Sequence, residues 1–148
     1  MYAEENMTKQ KLFLEKESYV IRGAAINTRK NLGSGQKEIV YKNDFAEELN
    51  YREVSFSREK PICIYSVRTG KKIGTYIPDF IIINKIIVEA KATQTVSKRD
   101  IDQLYYYLRN SRYELGFLIN FGGERLYIKR IIYTNENKPW YKRKNETK

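Results

Sequence analysis

The stretch Ile77-Pro78-Asp79-Phe80-Ile81-Ile82-Ile83-Asn84-Lys85-Ile86-Ile87-Val88-Glu89-Ala90-Lys91 decides the fold. Its two apolar runs flank Asn84-Lys85, a pair suited to a tight reversal. The runs Ile81-Ile82-Ile83 and Ile86-Ile87-Val88 do not alternate with polar residues. They read as central strands covered on both faces, hence by helices. Asp79, Glu89 and Lys91 interrupt this apolar hairpin. Charged groups placed there cost stability unless they pair or bind something.

Glu89 and Lys91 stand two apart on one strand, so both side chains leave the same face. The position of Asp79 depends on the turn. A three-residue loop over residues 83–85 sets Asp79 opposite Glu89; a two-residue Asn84-Lys85 loop sets it opposite Ala90 and turns it to the other side. A converging site therefore needs the longer loop or a bulge near Pro78, which removes a ladder donor there. Glu-x-Lys alone carries no weight, because it recurs in polar surroundings at Glu136/Lys138 and Glu146/Lys148. The inert alternative is a buried Glu89–Lys91 or Asp79–Lys91 ion pair.

Outward from the hairpin, Ser18 to Leu32 reads as a helix with Val20, Ile21, Ala24, Ala25 and Thr28 along one side. Gly33-Ser34-Gly35 stops it and opens a second helix over about residues 36–51. There Glu38, Tyr41, Phe45 and Leu49 share one face, with the carboxylate at the end of an apolar stripe. Strands are expected at Glu53 to Phe56, Ile62 to Val67, Lys72 to Ile83 and Ile86 to Ala92. Ser97-Lys98-Arg99-Asp100 resembles a capping box and opens a helix to about Arg112, with Ile101, Leu104 and Leu108 buried. Leu115 to Phe121 and Arg125 to Tyr133 read as a final strand pair. The order α-α-β-β-β-α-β-β implies an α/β (α+β) domain, a mixed sheet flanked by helices. Residues 1–17 read as a polar leader, residues 18–133 as the folded domain and residues 134–148 as a basic, disordered tail.

Composition narrows the chemistry. With 148 residues the chain suits one domain, and 28 basic against 18 acidic residues, a net +10, favour a polyanionic partner, nucleic acid before an anionic membrane. The chain has no histidine and a single cysteine, Cys63. Ser-His-Asp and Cys-His hydrolases, His-dependent nucleases, zincins and structural zinc sites are thereby excluded. Cys63 lies in an apolar run and reads as a buried, inert thiol. No secretory signal pattern or membrane-length apolar stretch is present, so a reducing, cytoplasmic location is expected. Hydrolytic chemistry must then rest on carboxylates, lysines, tyrosines and a hard metal ion. Metal-assisted phosphodiester hydrolysis needs converging carboxylates and gains from a nearby lysine that stabilises charge or orients water. Asp79, Glu89 and Lys91 meet that demand, and Mg²⁺ or Mn²⁺ is the ion expected.

Pro78-Asp79, nine intervening residues and Glu89-Ala90-Lys91 resemble the motif of the PD-(D/E)XK nuclease superfamily. Gly35-Gln36-Lys37-Glu38-Ile39-Val40-Tyr41 resembles the signature of its GxxExxY family, although Gln36-Lys37 is more polar than the aliphatic residues usual before the glutamate. The resemblance continues through Gln103-Leu104-Tyr105-Tyr106-Tyr107-Leu108 and Gly116-Phe117-Leu118-Ile119-Asn120-Phe121-Gly122, and spans Ser18 to Tyr133. It implies a restriction-endonuclease-like fold and a metal-dependent nuclease acting on DNA in preference to RNA. It also implies Asp79 and Glu89 as metal ligands, the Ala90 carbonyl as a third, and Lys91 orienting or activating water. Glu38 would be an additional acid reaching the metal directly or through water. Gln103 and Tyr107, at i and i+4 on one helix face, would help position the active centre or substrate. Two other readings use the same fold: a nucleic-acid-binding module with negligible turnover, and a structural domain with Tyr105, Tyr106 and Tyr107 at a homodimer interface. Double-strand cleavage would itself favour a homodimer.

Overall fold

The computed structural model describes residues 14–146. The expected leader over residues 1–17 lies outside the described residues except at its end, where the first helix already begins. Two helices open the chain, α1 (Glu15–Leu32) and α2 (Glu38–Tyr51). Five strands follow: β1 (Phe56–Arg58), β2 (Ile62–Tyr65), β3 (Lys72–Tyr76), β4 (Phe80–Ile82) and β5 (Ile86–Lys91). Then come α3 (Lys98–Arg109), β6 (Leu115–Asn120), β7 (Tyr127–Ile132), a 3-10 turn at Asn135–Asn137 and α4 (Pro139–Glu146).

The main sheet has the order β1-β4-β5-β6-β7. Its one parallel pair is β5–β6, bridged by α3, and the other neighbours are antiparallel. β2 and β3 form a separate antiparallel hairpin. The expected single strand over Lys72 to Ile83 is broken at residues 77–79. Pro78 has no N–H for the ladder, so the chain leaves the β2–β3 hairpin there and re-enters the main sheet as β4. More strands therefore precede α3 than the sequence order α-α-β-β-β-α-β-β allowed, but the mixed sheet between helices is as expected.

The β4–β5 strands are covered on both faces. On one face, Phe80, Ile82, Ile86, Val88 and Ala90 pack with Ile21, Ala24 and Ala25 of α1 and Tyr41, Phe45 and Leu49 of α2. On the other, Ile81 and Ile87 pack with Leu104 and Leu108 of α3, and Ile62 of the small hairpin joins them. The second cover is thus part helix and part hairpin. Val20 and Ile101 are half-buried rather than core, and Cys63 is also half-buried.

The tail requires a correction. Residues 135–146 form the 3-10 turn and α4 instead of a disordered end. Trp140 is buried, stacks on Tyr65 with ring centroids 4.5 Å apart, and donates from Nε1 to the Arg109 carbonyl at 2.6 Å. Lys138 is fully buried, and its Nζ donates to the carbonyls of Ser111 (2.8 Å) and Tyr113 (2.7 Å). Burial pushes the Lys138 ammonium down to about 7, against the opposing attraction of Glu114. A tryptophan that reaches the last carbonyl of α3 and a lysine that reaches carbonyls of the loop after it fasten this segment behind α3.

Candidate active site

The hairpin register places the central pair. Phe80 faces Val88, Ile81 faces Ile87 and Ile82 faces Ile86, so the loop is the three-residue Ile83-Asn84-Lys85. Asp79 therefore lies opposite Glu89, the arrangement that the longer loop requires. Ile83 and Asn84 both adopt left-handed backbone, with φ of 48° and 56°. For a β-branched isoleucine this is strained. It is held by the Ile83 N–H bond to the Ser55 carbonyl (2.9 Å) and by packing of its side chain on the core.

The two carboxylates interlock through the backbone. Ala90 N–H donates to Asp79 Oδ2 at 2.8 Å, and Asp79 N–H points to Glu89 Oε1 at 3.3 Å. The Tyr76 hydroxyl donates to the same Glu89 oxygen. Burial, and next the charge of Asp79, push the Glu89 carboxyl from its ordinary 4.5 up to about 7, against the bonds from Tyr76 and the Asp79 backbone. The Tyr76 hydroxyl is in turn held well above its ordinary range, by burial first and the charge of Glu89 second.

Glu38 begins α2 and does not touch the pair directly. Lys42, one turn further along, places its Nζ 3.0 Å from Glu38 Oε2 and 2.9 Å from Asp79 Oδ1. Burial acts to lower the Lys42 pKa, but its two carboxylate partners outweigh burial and the net shift is upward. Tyr41 is a packing residue: its ring stacks on Phe121 at 5.1 Å and its hydroxyl donates to the Gly33 carbonyl at 2.6 Å. That stack docks the start of α2, and with it Glu38 and Lys42, beside the end of β6.

Lys91 pairs with neither Glu89 nor Asp79. Its ion-pair partner among the described residues is Asp100 of α3, at 3.8 Å. The other oxygen of Asp100 completes the capping box by accepting from Ser97 N–H at 3.3 Å, while Ser97 Oγ accepts from Asp100 N–H at 3.2 Å. Asn120, buried and opposite Lys91 in the β5–β6 register, fixes the chain leaving β5. Its side chain accepts from Thr93 N–H (3.0 Å) and Gly122 N–H (3.1 Å) and donates to the Thr93 carbonyl (2.8 Å). Gln103 and Tyr107 share a face of α3, with Gln103 Nε2 3.4 Å from the Tyr107 hydroxyl. Tyr107 stacks flat on Tyr76, ring centroids 3.5 Å apart, and so connects to Glu89 through Tyr76.

Sequence reasoning thus missed Lys42, Tyr76, Asn120 and the second use of Asp100. Glu38–Lys42 carried an i,i+4 signal, and Asp100 had been read only as a cap. Tyr76 gave none, and Asn120 stands within the Gly116 to Gly122 stretch of the family resemblance without a role of its own.

Among the described residues, no three acidic or cysteine side chains converge on one point as a ready-made cation cage. Asp79 and Glu89 nevertheless suit one hard divalent ion. Mg²⁺ takes one or two carboxylates and completes its shell with water and substrate oxygen. The Asp79 charge that raises the proton affinity of Glu89 would be offset by such an ion.

The family model for the PD-(D/E)XK nuclease superfamily matches residues 15–131. The chain belongs to that superfamily, and its mixed sheet flanked by helices is restriction-endonuclease-like. Superfamily membership implies a nuclease with a nucleic-acid substrate, in a group that typically uses divalent metal ions. Among solved structures, "Crystal structure of SSO0001" is similar at 12% identity and a TM-score of 0.43, covering 88% of this chain and 84% of that one. No curated protein matches the chain significantly. No helix among the described residues is long and apolar enough to cross a membrane.

Proposed function

We propose that the protein is a Mg²⁺- or Mn²⁺-dependent nuclease that hydrolyses phosphodiester bonds, with DNA as its preferred substrate. The observation that carries this reading is the Asp79–Glu89 pair, two carboxylates locked face to face with the Glu89 carboxyl pushed up to about 7. Such a pair is poised to exchange a proton for a metal ion.

Asp79 and Glu89 would hold the ion, with the Ala90 carbonyl as a third donor. When bound, the ion would supply Lewis-acid polarisation of a phosphate oxygen and an acidified water. Lys91 leaves the Glu89 face two residues on, and its ammonium would orient the attacking water and offset charge on the phosphate in the transition state. Asp100 holds Lys91 on the α3 side, away from the carboxylate pair. Glu38 supplies a further negative group at the rim. Gln103 and Tyr107 would position Glu89 through Tyr76. The net +10 would draw a polyanion to the site without reading its sequence. A location in the cytoplasm suits this reading.

The test is cleavage of circular and linear DNA and of RNA with Mg²⁺, Mn²⁺ or EDTA, comparing wild type with Lys91→Ala and Asp79→Ala. Metal-dependent cleavage lost in both folded variants is the expected result. A well-folded wild type that binds DNA in a salt-sensitive way but cuts nothing would instead make the chain a binding module. Equal activity in wild type and variants would remove Asp79 and Lys91 from the site.

A further inference from the structure

The lysine that bridges carboxylates in this site is not the motif lysine. Lys42 is on α2, a different element from the β5 strand that carries Lys91, and only 17% of its side chain is exposed. Its ammonium touches Asp79 at 2.9 Å and Glu38 at 3.0 Å, carboxylates from two different elements. One of these, Asp79, also accepts the Ala90 N–H and faces Glu89. A compact, flexibly tethered point charge between carboxylates does the electrostatic work that an inorganic cation would do there.

We infer that Lys42 is a built-in counter-ion of the metal site: it holds Asp79 before a divalent ion binds, and must release Asp79 for that ion to enter. This inference rests on the two-carboxylate ion site proposed above. Glu38 gives the displaced lysine somewhere to go. Glu38 and Lys42 are i and i+4 on one helix, a geometry that holds without Asp79. The ammonium can swing off Asp79 and stay paired at the rim. Competition of this kind weakens ion binding but offsets repulsion between Asp79 and Glu38 while the site waits. A merely structural bridge between α2 and the sheet would behave differently, since cutting it would loosen Asp79 and leave ion affinity unchanged or lower.

The test uses ion binding by the protein alone, without nucleic acid. Titration calorimetry with Mg²⁺ and with Mn²⁺ compares wild type and Lys42→Met, each checked for folding by circular dichroism. Loss of the competing charge should tighten binding by about tenfold. Unchanged or weaker binding by folded Lys42→Met overturns the inference while leaving the metal site standing. Absence of binding to both proteins overturns the metal site and the inference together. A second measurement needs no variant: lysine acylation of wild type, read by peptide mass spectrometry with and without Mg²⁺. The reactivity of Lys42 should rise severalfold as the ion saturates the site. Reactivity that stays constant through saturation would show that Lys42 never leaves Asp79 and would refute the inference.

Discussion

Replacing Glu89 with glutamine should stabilise the metal-free protein at neutral and higher pH and leave it unaltered in acid. The Glu89 carboxyl is half-buried, faces the Asp79 carboxylate, and has its pKa pushed from 4.5 to about 7. The folded state therefore holds this proton more tightly than the unfolded chain does. That contribution to stability is fully present below the unfolded value of 4.5 and is lost as pH rises through about 7. The difference amounts to about 3 kcal/mol, since each pKa unit is worth about 1.4 kcal/mol. Glutamine has nearly the same shape, retains an acceptor for the Tyr76 hydroxyl and never ionises. Urea unfolding in EDTA, run from about pH 4 to about pH 8, should give equal stabilities at the acid end. At the alkaline end Glu89→Gln should exceed wild type by about 3 kcal/mol. Mg²⁺ should narrow or reverse the gap, because it offsets the charge of the wild-type pair and finds a weaker ligand in the variant. A stability difference that stays constant across this range in EDTA would refute the reasoning.

Three other outcomes follow from the packing around the site. A Cβ at Gly122 would stand 2.4 Å from the Ala92 carbonyl carbon and 2.6 Å from Thr93 N, so Gly122→Ala should cost about 2–3 kcal/mol in urea unfolding. Wild-type stability in that variant would mean that the strand exit does not pack as described. Trp140→Ala removes the stack on Tyr65 and the bond to the Arg109 carbonyl, and should cost about 3–5 kcal/mol, read as a lower thermal midpoint. A midpoint like wild type's would instead detach α4 from the domain. Tyr107→Ala should slow cleavage by up to about tenfold, the worth of an aromatic stack, whereas Tyr107→Phe keeps the ring on Tyr76 and should stay close to wild type. Equal losses in the two variants would assign the effect to the hydroxyl rather than to the stack.

The parts legible in the sequence are those governed by local period. Tyr41, Phe45 and Leu49 fall on one helix face by spacing alone and are all buried. Ile81 and Ile87 on one side, with Ile82 and Ile86 on the other, follow from unbroken apolar runs. Register was legible only as a choice between two loops. The longer loop needs a strained left-handed isoleucine at residue 83, held by the Ser55 carbonyl and by core packing that nothing in the local sequence announces. The tail misled for a related reason. Its charges describe a solvated segment, whereas its order comes from one indole and one ammonium finding backbone carbonyls at residues 109, 111 and 113.

The same limit divides the site. Asp79 and Glu89 belong to one hairpin and their spacing sets them face to face, with Lys91 two residues beyond Glu89 on the same strand. Lys42 and Tyr76 enter through contacts that cross elements, and no periodicity marks such contacts. Those cross-element contacts also bear on the inert reading of the hairpin. An inert hairpin would neutralise itself with its own lysine, two residues from Glu89. Lys91 instead lies against Asp100, while Glu89 shares a boundary with Asp79 and is left without a cation of its own. The lysine that the fold does supply, Lys42, lies on Asp79 and Glu38 and leaves Glu89 unbalanced. That arrangement argues for a site whose missing charge arrives from solution.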